Sequence, residues 1–285
     1  MRAYFELVRP ANVVTALADV LAGCAIVGAW DGGALTWLLG STACLYAGGV
    51  VLNDVFDRRI DALERPERPI PSGRVSAGIG AALGATLLVA GVTFASQATI
   101  AAAGVAGAIA GLVVAYDAWA KRHGVAGPLA MGGCRGLNLL LGMAAAPAAM
   151  AARWPLMLLP FVYIVAVTVV SRGEVHGGRA MTGGVAFAAV AGIVAALMGL
   201  AAAGGPAAWG LVIAGLLAWR VLPPFWRAWR DPQPALLRHA VRAGVLSLIF
   251  LDASLAATYA GGLYGLAVLG LVPVAYGLSR LFAVT

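Results

Sequence analysis

Apolar residues run through this chain in long, nearly charge-free stretches separated by short polar breaks, and the pattern repeats from end to end. The hydrocarbon core of a bilayer takes roughly 20 helical residues to cross, and apolar stretches of about 18 or more with few charges mark such crossings. Ten segments fit, over approximately 12–30, 35–56, 77–95, 98–116, 128–150, 155–171, 183–203, 207–224, 243–261 and 264–282. The pattern predicts an all-α, polytopic transmembrane bundle.

The polar breaks fall into two kinds. Arg2 and Arg9, the 58–74 segment, Lys121 with Arg122, Arg172 with Arg179, and the 227–242 segment lie on one side; Arg153 alone clearly lies on the other. Short cytoplasmic loops are enriched in Lys and Arg, so the N-terminus is expected in the cytoplasm of a multi-pass protein of the bacterial inner membrane. The first span is expected to stay in place: its apolar run is too long for a signal peptide, and Glu6 spoils a basic leader.

Composition agrees. The chain is 62% hydrophobic and 11% charged, with mean hydropathy +0.92, whereas soluble domains are about one quarter charged. Its basic excess describes loop topology rather than nucleic-acid affinity, and no zinc or nucleic-acid motif is present. Cys24, Cys44 and Cys134 each sit in an apolar segment and are odd in number, which argues against structural disulfides.

Membrane helices pack through small residues, and Gly107 with Gly111 is one such pair. The second and sixth apolar segments both end in polar clusters, "NDVFDRRID" and "SRGEVHGGR". That rough duplication suggests one domain over 1–285, built from halves of about 1–125 and 126–285 around a shared cavity.

The first cluster carries candidate chemistry. Residues four apart share a helix face, so Asn53, Asp57 and Asp61 are expected on one edge, with Asp54 beside it. Oxygen donors without His or Cys suit Mg2+, which takes one or two carboxylates, waters and substrate phosphates. Arg58, Arg59, Arg65, Arg68 and Arg74 bring positive charge suited to a polyphosphate. A solvated, ion-paired helix end is the competing reading. The regular spacing and the Pro-rich continuation "RPERPIPSG", which cannot extend the helix, favour an ordered loop over a site.

These residues strongly resemble the UbiA superfamily of intramembrane prenyltransferases. "NDVFDRRID" fits its N-D-x-x-D-x-x-x-D motif at every specified position, and "ERPERPIPSGRVS" is similar to the loop that follows. "LVRPANVVTALAD" resembles the opening helix, with Arg9, Pro10 and Asn12 in place. "YDAWAKRHGVAG" looks like the Tyr-x-x-x-x-Lys segment, giving Tyr116 and Lys121, and "CRGLNLLLGMAA" like the helix after it. The resemblance implies a bundle of normally nine spans around a cytoplasm-facing cavity. A polyprenyl diphosphate would bind there through Mg2+, ionise and alkylate an acceptor; an aromatic or a polyol acceptor is compatible.

The second motif departs from the family. D-x-x-x-D is expected after the sixth segment, and here "VSRGEVHGG" places Val170 and Glu174 at its two acidic positions. On this resemblance Asn53, Asp54, Asp57, Asp61 and Glu174 are the expected metal ligands, with His176 beside Glu174. Asp54, Asp57, Asp61, Glu174 and Lys121 form the expected catalytic set. Lys121, Arg172 and Arg179 are the expected diphosphate clamps, with Arg65 and Arg68 in second place. Arg135 and Asn138, three apart on one helix, are expected to face the cavity because an unpaired Arg is costly against lipid, and Asp19 is expected near the acceptor. Asp252 has no assigned partner. Tyr46 or Tyr163 is suited to face a carbocation, and an interfacial or packing tyrosine is the equal alternative for each. A UbiA-type terpene cyclase, a transporter and a catalytically silent scaffold are the alternatives.

Overall fold

The computed structural model describes residues 2–30, 32–174, 177–203 and 208–281. Among these residues the expected apolar segments fall largely on helix, with 128–150 broken at 144–146, and no strand is present. A short α1 (Arg2–Val8) leads into α2 (Pro10–Val27) and a long α3 (Gly33–Glu64), followed by α4 (Ala77–Ala98) and α5 (Ile100–Ala118). A 3-10 turn at Ala120–Arg122 precedes α6 (Ala126–Met143) and α7 (Pro147–Arg153), and a second at Trp154–Met157 precedes α8 (Leu158–Ser171). Then come α9 (Ala180–Ala203), α10 (Ala208–Arg230), α11 (Pro234–Ala260), α12 (Gly262–Leu269) and α13 (Leu271–Leu281).

Eight of the described helical stretches are long and apolar enough to cross a membrane. α6 is less apolar because Arg135 and Asn138 lie inside its 18 residues. The expected segment 264–282 divides into α12 and α13. Pro273 sits in the first turn of α13, where its ring would clash with the carbonyl four residues back if α12 continued.

Two apolar clusters fill the bundle. One joins α2, α6 and α8 to α11, with Tyr163 and Phe225 fully buried; the other joins α2 to α6. Helices α2 and α6 contribute to both, and they cross backbone to backbone. A Cβ on Gly142 would collide with the Val20 carbonyl, and one on Gly23 with the Leu139 carbonyl. On α4, Gly84 and Gly91 leave room for Leu52 and Leu45 of α3. Gly107 and Gly111 behave otherwise: a Cβ added to either meets nothing within 4 Å. The expected packing pair faces away from the neighbouring helices, because the spacing of small residues does not fix which face of a helix is the contact face.

One turn from the α2–α6 contact lies a buried polar network. Arg135 Nε donates to Asp19 Oδ1 at 3.0 Å and its Nη2 to the Thr15 carbonyl at 2.6 Å. Asn138 Nδ2 donates to Asp19 Oδ2 and to the Ala16 carbonyl, both at 2.8 Å, and Thr42 Oγ1 donates to Asn138 Oδ1 at 2.6 Å. Asp252 on α11 is fully buried against the Asp19 carboxyl, and its oxygens meet no N–H donor among the described residues. Asp19 is therefore a structural counter-ion beneath the cavity. Removing one partner of a buried ion pair strands the other charge, which costs about 3 to 5 kcal/mol.

Two outcomes follow for unfolding measured in detergent. Gly142→Ala is expected to destabilise the protein by about 1 to 3 kcal/mol through overpacking, while Gly107→Ala stays within about 0.5 kcal/mol of the parent. Asp19→Leu is expected to lose about 3 to 5 kcal/mol; a loss below about 1 kcal/mol would show that Arg135 does not depend on it.

Candidate active site

A cavity of about 390 Å³ lies between α2, α3, α5, α6, α8 and α11. Its mouth carries Arg9, Asn12, Asn53, Tyr116 and Asp117, its walls are apolar (Leu45, Val113, Ile164, Val167), and Thr15, Thr42, Arg135 and Asn138 form its floor. Thr42 and Asn53 stand eleven residues apart on α3, about 16 Å at 1.5 Å per residue. Arg135 and Asn138 thus face the cavity as expected, and Asn12 of the opening helix lines it with them. Tyr46 also lines it. Tyr163 does not: its hydroxyl donates to the Gly244 carbonyl at 3.0 Å inside the apolar core.

At the mouth, α3 runs on to Glu64 and carries the acidic motif past the apolar region on continuous helix. The structure divides that motif in two. Asn53 and Asp57 face α5: Asn53 Nδ2 donates to Asp117 Oδ1 at 2.7 Å, and Lys121 Nζ lies 2.7 Å from Asp57 Oδ1 and 3.5 Å from Asp117 Oδ1. Asp54 and Asp61 face the other way. Arg9 Nη2 lies 2.6 Å from Asp54 Oδ1, and Arg68 Nη1 lies 3.3 Å from that oxygen and 2.8 Å from Asp61 Oδ2.

Helical geometry explains the division. Each residue turns about 100°, so steps of four drift by about 40°, which puts Asp61 about 80° from Asn53 but only about 20° from Asp54. The expected single edge of Asn53, Asp57 and Asp61 is therefore two faces. The loop after α3 supplies the second face with its cation. Val75 donates its N–H to the Pro69 carbonyl, Gly73 adopts a left-handed φ of 74°, and Ile70 and Val75 are buried against Leu7 and Val51. This folding lays Arg68 on the helix. Arg65, at the end of α3, stays exposed, and Arg74 pairs with Glu6 at 2.6 Å.

Lys121 owes its place to the 3-10 turn after α5. Arg172 Nη2 donates to the Lys121 and His123 carbonyls at 3.1 and 2.7 Å, so its guanidinium braces that turn. Through that one nitrogen Arg172, an expected clamp, tethers the segment that carries Lys121. Arg179 is exposed, and His176 lies outside the described residues.

The second motif forms no acidic pair. Val170 is buried in the main apolar cluster, and Glu174 is half-buried in the turn after α8. Arg238 Nη1 donates to the Glu174 carbonyl at 3.0 Å. Burial lifts the Glu174 carboxyl above the usual carboxylate range, while Arg238 and Arg65 pull it down. Arginines rather than a second acid surround it.

Among the described residues no three His, Cys, Asp or Glu side chains gather as a metal site by themselves. The donor chemistry at the mouth nevertheless suits Mg2+. Asp57 offers a carboxylate, and Asn53, its Nδ2 committed to Asp117, leaves its carbonyl oxygen for a ligand; one or two carboxylates plus substrate phosphates are the usual Mg2+ surroundings. Asp117 carries no role in the sequence motifs, and Arg9, present in the opening helix, carries none toward Asp54. An acid at the end of an apolar segment, four before a Lys, was the available signal for Asp117.

Comparison with known proteins fits this geometry. Residues 12–172 match the UbiA prenyltransferase family. A digeranylgeranylglyceryl phosphate synthase from Ignicoccus hospitalis is 37% identical over 142 residues, which cover 50% of this chain and 46% of the relative. The chain thus spans about half or less of the length of the curated relatives it matches. A UbiA homologue from Aeropyrum pernix superposes with a TM-score of 0.72 at 16% identity, over 85% of this chain and 96% of that one. A UbiA homologue from Archaeoglobus fulgidus, solved with GPP and Mg2+, gives 0.59 at 15% identity, over 94% and 99%. At such identities the superpositions speak for the fold. With its family match extending over more than half of the sequence, this multi-pass membrane protein belongs to the UbiA prenyltransferase family.

Proposed function

We propose that this chain acts as a single domain in a bacterial cytoplasmic membrane, N-terminus inside. It transfers a prenyl group from a polyprenyl diphosphate, with Mg2+, to an acceptor whose identity stays open. The observation that carries the reading is the pairing of Asp57 with Lys121, beside an Asn53 amide held by Asp117, at the mouth of an apolar-walled cavity. Relatives named as digeranylgeranylglyceryl phosphate synthases, and a family structure bound to GPP and Mg2+, support it.

The roles follow from the contacts. Asp57 and the Asn53 carbonyl would hold the metal, which when bound supplies Lewis-acid neutralisation of the leaving diphosphate. Lys121, already beside Asp57, brings a flexible ammonium to the same charge. Arg9 and Arg68 neutralise Asp54 and Asp61, which keeps those two carboxylates from repelling an incoming diphosphate. The apolar walls exclude water from a reacting allylic group and receive its hydrocarbon. Tyr46 presents a ring to that space, a contact worth about 0.5 to 2 kcal/mol to a cation. Glu174, held among arginines, contributes less than Asp57.

Pyrophosphate release from a panel of allylic diphosphates, with and without Mg2+, tests this. Wild type is expected to release it only with Mg2+. Asp57→Ala is expected to lose about 100- to 1,000-fold, the scale on which removal of one preorganised electrostatic group acts, and Glu174→Ala markedly less. Equal behaviour of wild type and Asp57→Ala across the panel would discard the reading.

A further inference from the structure

We propose that Asp117 is a positioning residue, fixing which end of the Asn53 amide faces the cavity; this rests on the reading above. An Asn side chain has a donor end and an acceptor end of nearly the same shape, so its neighbours decide its direction. The ionised carboxylate of Asp117 can only accept. Its Oδ1 lies 2.7 Å from Asn53 Nδ2, and its side chain is only 2% exposed, so solvent water is poorly placed to replace it. A reversed amide would set oxygen against oxygen at that distance.

The same Oδ1 stands 3.5 Å from Lys121 Nζ, whose other neighbour, at 2.7 Å, is Asp57 Oδ1. One oxygen of Asp117 therefore turns the Asn53 carbonyl toward the cavity and draws Lys121 in beside Asp57. Both effects act on groups assigned to the diphosphate site, and Asp117 does so from α5 while the motif itself lies on α3. The second acidic motif, reduced here to Glu174 with Val170 buried, supplies no equivalent. Partners behind metal-binding side chains typically cost 10- to 100-fold in metal affinity or activity when removed.

The test uses the full chain in detergent, with Mn2+ alone as the probe and electron paramagnetic resonance as the readout. Asp117→Leu keeps the volume but removes the acceptor, and Mn2+ affinity is expected to fall about 10- to 100-fold. The exchanged pair Asn53→Asp with Asp117→Asn restores one donor facing one acceptor and is expected to recover binding, which a purely packing role would not bring about. Wild-type Mn2+ affinity in folded Asp117→Leu overturns the proposal. Should that variant fail to fold, a folded exchanged pair without Mn2+ binding overturns it instead. Asp117-dependent Mn2+ binding without pyrophosphate release from any allylic diphosphate removes the prenyl-transfer reading and leaves the positioning role intact. Turnover and Mn2+ binding that both ignore Asp117 do the reverse, and a wild type that binds no Mn2+ overturns the positioning role and leaves the prenyl-transfer reading to the pyrophosphate assay.

Discussion

Three acids of the α3 motif each take a cation from another segment, and those pairings assemble the site. Asp54 takes Arg9 from the junction before α2, Asp61 takes Arg68 from the loop after α3, and Asp57 takes Lys121 from the turn after α5. Near lipid an unpaired charge is costly, so three separate segments, two of them distant in sequence, are drawn onto one helix. Burial raises the cost of removing one partner above that for a surface ion pair, since Asp54 and Asp61 are 2% and 4% exposed. The mouth of the cavity is consequently a by-product of charge neutralisation.

The cost of this arrangement shows in the backbone. Arg9 is the only described non-glycine residue with positive φ, 46°, a left-handed conformation that L side chains adopt at a cost of roughly 1 to 2 kcal/mol. Its guanidinium meets Asp54 at 2.6 Å from that conformation, and Pro10 next to it starts α2 with a preset φ. The ion pair and the helix start together hold a geometry that neither local preference would select. Burial lowers the affinity of Arg9 for its proton, and Asp54 opposes that.

Much of the scaffold was legible in the sequence because hydrophobic length is a strong signal. The expected segments 77–95 and 183–203 fall inside α4 and α9. Arg135 and Asn138 were placed in the cavity correctly since a lone Arg has few tolerable positions in hydrocarbon. What escaped was rotation about helix axes. Four-residue spacing hid the drift that separates Asp61 from Asn53, and it marked Gly107 and Gly111 as a contact although they face open space. The same rotation decides Tyr163, which takes the packing role of its two readings. Asp117 escaped for another: its partner Asn53 is 64 residues away, and single-sequence reasoning sees no such pairing. Arg172 shows the converse, where a side chain read for its charge also ties two backbone carbonyls.

The crossing of α2 and α6 ties these themes together. Asp19 precedes Gly23 by four residues and Asn138 precedes Gly142 by four, so the hydrogen-bonded pair and the touching pair are stacked one turn apart on the same two helices. Axial slippage of α6 by a single residue would bury a Cβ in a backbone and, in the same movement, abandon a guanidinium to hydrocarbon. The bundle thus carries a built-in check on its own assembly: wrongly threaded intermediates are penalised twice, sterically and electrically, before any substrate is met.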